Sequence, residues 1–165
     1  MKKVRLAITL LAVLAIVSFA GQAPAATSSD SYKAVTSTIS APDTVSPFTD
    51  FAVVVGGEIM PGSGFDVFAF SVRQDAEWEY DANHMVVWTT PGTIIEQDAF
   101  NFGSSHTGMY TFNLPEGVYK FTYMFGFRST GDNWYDVAVD VWVLVGEQTG
   151  DEDEDTDGYP DEMSD

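Results

Sequence analysis

Apolar and polar positions alternate with a period of two along much of this chain, and between residues 31 and 146 no stretch settles into the 3.6-residue period of a helix. The strongest alternation is at 118–128, where Tyr119, Phe121, Tyr123, Phe125 and Phe127 share one face and Lys120, Thr122 and Arg128 the other. Residues Trp134–Val145 repeat it, with Tyr135, Val137, Val139, Val141, Val143 and Val145 opposite Asp136 and Asp140. Between the two runs Ser129, Thr130, Gly131, Asp132 and Asn133 are turn formers, so the pair predicts a hairpin. Because successive strand side chains point to opposite faces, one face of this hairpin is expected to be core and the other mostly wet.

Upstream, Phe51, Val53 and Val55 alternate, as do Phe68, Phe70 and Val72 after the turn Pro61, Gly62, Ser63 and Gly64. Further strands are expected at 35–40, 84–89, 94–102 and 109–114. Roughly seven to nine short strands without a long helix predict an all-β fold, two antiparallel sheets packed as a sandwich.

Composition divides the rest of the chain. Lys2, Lys3 and Arg5, an apolar run at 6–19 and then small residues have the plan of an export signal, expected as a helix. Cleavage is expected after Ala20 or Ala25, with Ala25 preferred, so the domains are a signal peptide at 1–25, a linker at 26–30, the sandwich at 31–146 and an acidic tail at 147–165. The apolar run falls short of the roughly 20 residues a membrane span needs, so no stable span is expected after cleavage. The chain has no Cys, which excludes lipoprotein acylation, disulfides and a thiol nucleophile. The protein is therefore expected to be exported: secreted, periplasmic or at the cell surface.

The net charge is −18, and the tail at 147–165 holds ten acids and no base. Such a balance excludes a nucleic-acid partner, since phosphate affinity comes from Lys and Arg. Enzymatic chemistry finds no constellation: His84 and His106 are the only histidines, and they stand in neither a Ser/His/Asp order nor a zinc spacing. Carboxylates are too abundant for any glycosidase-like pair to stand out.

Two resemblances sharpen this picture. The run Leu114, Pro115, Glu116, Gly117, Val118, Tyr119, Lys120, Phe121 resembles the turn into the sixth strand of immunoglobulin-like sandwiches. The resemblance implies that Tyr119 closes a corner onto nearby backbone and that Phe121 takes the place of the second cysteine. In the tail, Asp153, Asp155, Asp157, Gly158, Tyr159, Pro160 and Asp161 set alternate carboxylates ahead of a glycine that permits a tight bend. This is the chemistry of a calcium loop, with Asp153, Asp155, Asp157, the Tyr159 carbonyl and Asp161 as expected ligands. The string resembles the calcium repeats of thrombospondin type 3 and EF-hand-like loops, although Ser164 stands at the twelfth position where those loops place a bidentate acid. Weak Ca²⁺ binding is the expectation.

Two further patterns remain. Asp75, Glu77, Glu79 and Asp81 alternate with Ala76, Trp78 and Tyr80, which on a strand stacks carboxylates on one face and aromatics on the other; an exposed strand protected from edge pairing is the expected role. Trp134 and Trp142 share the outer face of the last strand with Asp136 and Asp140, and the hairpin register places them near Arg128 and Lys120. The expected function is a non-enzymatic secreted or cell-surface binding or structural module with an unidentified protein or polysaccharide partner. The alternatives are a carbohydrate-binding module using Trp134 and Trp142, or a subunit that self-associates into a filament or surface layer by donating residues 26–40 as a strand.

Overall fold

The structure, a computed structural model, describes residues 25–129, 131 and 133–147. The expected signal segment, except Ala25, and the expected acidic tail, except Glu147, lie outside the described residues. In chain order the strands are β1 (Ala25–Tyr32), β2 (Val35–Pro42), β3 (Thr44–Val45), β4 (Phe51–Ile59), β5 (Phe65–Gln74) and β6 (Glu77–Tyr80). They continue with β7 (Val86–Thr90), β8 (Thr93–Phe102), β9 (Ser105–Phe112), β10 (Gly117–Ser129) and β11 (Trp134–Val145).

Nine of these strands form two sheets, ordered β1-β2-β4-β9 and β3-β11-β10-β5-β8, and β6 and β7 form a separate hairpin. Pairings are antiparallel except that the short β3 runs parallel to the end of β11. With β2, β4 and β9 in one sheet and β5, β10 and β11 in the other, the order matches strands A, B, E and C, F, G of an immunoglobulin-like sandwich. The corner expected from the resemblance is present: the Tyr119 hydroxyl donates to the Pro115 carbonyl at 3.0 Å. Phe121, two residues on, is fully buried.

The core lies between the sheets, where the alternating faces of the strands meet. From β10 come Phe121, Tyr123, Phe125 and Phe127, all 0% exposed, and they meet Phe68, Phe70 and the valines of β11 as expected. On the opposing sheet Gly57 permits a close approach, since a Cβ there would lie 2.2 Å from the Phe125 ring. Ser37 of β2 is a polar pin across the layers, its buried hydroxyl donating to the Val137 carbonyl of β11 at 3.0 Å.

The two sheets hold nine strands, at the upper end of the expected seven to nine, and the separate β6–β7 hairpin adds two more among the described residues. Three expectations need correction. Residues 26–30, expected as a linker, belong to β1, where Thr27 and Ser31 bond Ser40 and Thr36 of β2; their Ser/Thr content reads as a linker only when cross-strand hydroxyl pairs are ignored. The strand expected at 84–89 begins at Val86, because His84 has a φ of 61° and occupies the turn before it. Finally, the outer face of the β10–β11 hairpin is wet only at one end: Val118, Trp142 and Leu144 are exposed, whereas Lys120, Thr122 and Asp136 are buried.

Candidate functional site

The buried part of that outer face is covered by the β6–β7 hairpin, and the covering follows from the alternation in β6. Glu77 and Glu79 are exposed while Trp78 and Tyr80 are partly buried, which separates carboxylates from aromatics as the sequence pattern requires. The Trp78 indole donates to Asp140 Oδ1 at 2.9 Å, and the Thr122 hydroxyl donates to the same oxygen at 2.6 Å. The Lys120 ammonium, whose side chain is 4% exposed, is 2.7 Å from Glu77 and 4.0 Å from Asp140. Arg73 of β5 lies 4.1 Å from the centre of the Trp88 ring of β7 and donates from its guanidinium to Ser71 and the Pro91 carbonyl. Burial lowers its pKa.

Asp75 and Asp81 fall outside the strand they were expected to share. Asp75 has a φ of 54° and exchanges hydrogen bonds with the Lys120 backbone, accepting through its carboxylate and donating through its amide. Asp81 accepts the amides of Asn83 and Met85 in the β6–β7 turn, and the Met85 bond leads in lowering its pKa. The hairpin also covers part of the open edge of β11: the Asp136 amide donates to the His84 carbonyl of the turn at 2.9 Å, and the Ala138 amide to the Tyr80 hydroxyl of β6 at 3.0 Å.

Asp136 ties the turn to the sheet a second time. Its carboxylate accepts the Val86 amide at 2.7 Å, and its carbonyl lies 2.9 Å from His84 Nδ1. Burial pushes its pKa up to about 6. The native state thus binds the proton more tightly than the unfolded chain, so Asp136 stabilises the fold at acid pH and loses that contribution as pH rises from about 4 to about 6. His106, whose pKa burial lowers, acts in the opposite direction, since stability falls as acid charges it in the unfolded chain. Comparison with Asp136→Asn cancels the His106 contribution. Relative to that variant, the native protein is expected to lose about 2 kcal/mol of unfolding free energy between pH 4 and pH 7 in urea titrations. Parallel pH profiles for the two proteins would show that the carboxyl is not held in its protonated form.

One end of the sandwich opens as a cleft of about 720 Å³ where three turns converge. The β1–β2 turn contributes Tyr32 and Lys33, the β6–β7 turn Asn83 and His84, and the start of β11 Trp134 and Tyr135. His84 is stacked between Tyr32, at 3.6 Å, and Tyr80, at 4.0 Å. The Lys33 ammonium sits 3.4 Å above the centre of the Tyr135 ring. Lys33 and His84 both have positive φ, 54° and 61°, which costs a non-glycine residue on the order of 1 kcal/mol. The ring stack and the Asp136 bonds hold His84 in that conformation.

Of the residues singled out in the sequence, Trp134 lines this cleft and Trp142 does not. The two stand eight positions apart on β11, about 27 Å along an extended strand, so they cannot share one sugar ring. Each has the cationic neighbour expected of it: Arg128 is 6.0 Å from the Trp134 ring and Lys120 is 5.5 Å from that of Trp142. His106 is far from His84 in role, packed 3.6 Å from Phe70 with Nδ1 3.0 Å from the Tyr123 hydroxyl. Residues 26–40 are paired within their own sheet as β1 and β2. The calcium ligands expected at Asp153, Asp155, Asp157, Tyr159 and Asp161 lie outside the described residues. Among the described residues no three His, Asp or Glu side chains gather closely enough to hold a metal ion.

No family model and no curated protein matches the chain. Similar solved structures include the CARDB domain of a Pyrococcus furiosus protein in complex with di-metal ions, at 12% identity and a TM-score of 0.38, covering 75% of this chain and 90% of that one. The sporulation control protein Spo0M of Bacillus subtilis matches at 13% identity and a TM-score of 0.31, over 77% of this chain and 50% of its own. A β-glucosidase from Listeria innocua in complex with isofagomine matches at 12% identity and a TM-score of 0.31, over 75% of this chain and 16% of its own. The chain therefore spans half the length of the sporulation protein and a small part of the glucosidase. The assignment to the immunoglobulin-like class stands on the strand order and the Tyr119 corner.

Proposed function

We propose that this chain is an exported, non-enzymatic module of the cell surface or extracellular space, a β-sandwich that binds an envelope component and carries a weak calcium loop in its tail. The observation that carries the reading is the cleft: three turns surround it, and the bonds of the β6–β7 hairpin to Asp136, Ala138 and Asp140 pre-organise it before any partner arrives. Both histidines serve packing, His84 in the ring stack and His106 against Phe70 and Tyr123, which supports a binding role over a catalytic one. Calcium, held by Asp153, Asp155, Asp157, the Tyr159 carbonyl and Asp161, orders a tail whose carboxylates otherwise repel one another.

The test is co-sedimentation of the mature chain with envelope fragments from the cells that make it. Binding is expected, and Trp134→Ala is expected to weaken it while the variant stays folded at the assay temperature. Failure of the native protein to sediment, or equal sedimentation of the variant, rejects the cleft as the working surface. For the tail, calorimetric titration is expected to give a calcium Kd of roughly 10⁻⁴ to 10⁻³ M, with the heat abolished by Asp155→Asn combined with Asp157→Ala.

A further inference from the structure

The cleft combines features that together select a ligand class. Among the described residues the hydroxyls of Tyr32 and Tyr135, the Lys33 ammonium and the Trp134 indole N–H have no hydrogen-bond or ion-pair partner, yet all four residues line the cleft. The first two and the last are polar edges of aromatic rings, so the surface alternates ring faces with hydrogen-bonding groups. The carboxamides of Asn83 and Asn133 add groups that both donate and accept.

This alternation complements a pyranose. A sugar ring presents a C–H face that packs on an indole, and its hydroxyls donate and accept around the rim. A lipid tail gains too little from a cleft with so many polar groups. A polyphosphate meets a chain of net charge −18 with Asp81 on the rim of the cleft. The strained backbone at Lys33 and His84 is consistent with a binding site, because such conformations persist where the surrounding structure holds them in place.

We propose that this cleft binds a saccharide, with the Trp134 indole as the stacking surface and Tyr32, Lys33 and Asn133 as hydrogen-bonding groups. The proposal rests on the binding-module reading above and names the partner of the same site. It differs from a two-tryptophan platform, in which Trp134 and Trp142 act together.

The experiment has two arms. In the first, the mature chain is titrated calorimetrically with cellopentaose, chitopentaose, mannopentaose and a galacturonate pentamer. Saturable binding of at least one is expected, weakened at least tenfold by Trp134→Ala and by Asn133→Ala and unchanged by Trp142→Ala. The asparagine variant keeps the test informative if loss of the indole disturbs the fold. In the second arm, periodate oxidation of the envelope fragments is expected to abolish co-sedimentation while protease treatment leaves it intact. No saturable heat with any pentamer, together with binding that survives periodate and is lost to protease, overturns the saccharide and leaves a protein-binding module standing. Equal affinities of Trp134→Ala and the native chain for a bound pentamer overturn the placement in this cleft. Absence of envelope binding under every condition overturns the module reading as well.

Discussion

Phe121→Ala is expected to lower the unfolding free energy of the mature protein by about 3 to 5 kcal/mol. The ring is 0% exposed and joins the two sheets, with its centre 4.6 Å from that of Phe112 on β9 and 6.1 Å, edge-on, from that of Phe51 on β4. Truncation removes those contacts and leaves a cavity. Its lining cannot readily collapse, because Phe51 and Phe112 belong to paired strands of the opposite sheet. Val118→Ala, three residues earlier on the same strand, is the control. Val118 is 62% exposed, so its truncation is expected to change stability by no more than about 0.5 kcal/mol. Urea unfolding followed by far-ultraviolet circular dichroism measures both. A loss below about 1 kcal/mol for Phe121→Ala would contradict the burial of this ring between the sheets.

The inward face of β10 was legible because its alternation is uninterrupted over five aromatic residues, and a period of two leaves only one side for them to bury. The β10–β11 register was legible for the same reason: fixing the turn near Gly131 sets Lys120 opposite Trp142 and Arg128 opposite Trp134, as the structure has them. Tyr119 stood out through its spacing from Glu116 and Gly117.

The covered outer face was not legible. Lys120, Thr122 and Asp136 look like solvent-facing residues, and their burial depends on a hairpin that reaches back from residues 77–90, distant in sequence from all three. The signal lay in Trp78 and Tyr80, two aromatic residues alternating with glutamates in what looked like an exposed strand; large rings on one face need a surface to cover. The cleft was hidden for a related reason. Tyr32, His84 and Trp134 are separated by about fifty residues each, and only the sheet order and the positive φ of Lys33 and His84 bring them to one end. Neither feature has a marker in the local pattern, since both residues occupy turn positions where a glycine would be the familiar sign.

Asp140 gives the second large effect, because it joins the hairpin to the sheet through three partners. One oxygen accepts both the Thr122 hydroxyl and the Trp78 indole, and the other faces Lys120. Asp140→Ala is expected to cost about 3 kcal/mol, most of it from polar groups left behind: a Thr122 hydroxyl at 0% exposure and an ammonium whose remaining ion-pair partner among the described residues is Glu77. Glu77 is a poor substitute, since its side chain is 59% exposed and remains hydrated. The same reasoning predicts how the loss is repaired. Lys120→Met removes the buried cation and keeps its apolar stem, so Asp140→Ala combined with Lys120→Met is expected to recover at least about 1 kcal/mol of the loss. Tryptophan emission distinguishes a local opening from a global effect. In Asp140→Ala the Trp78 ring loses its anchor, and the emission is expected to shift to longer wavelength under native conditions, well before the urea transition. If Asp140→Ala unfolds at the native urea concentration with an unshifted spectrum, the Arg73–Trp88, Tyr80–Ala138 and Asp136 contacts hold the hairpin, and the polar cluster around Asp140 contributes nothing measurable to closing it.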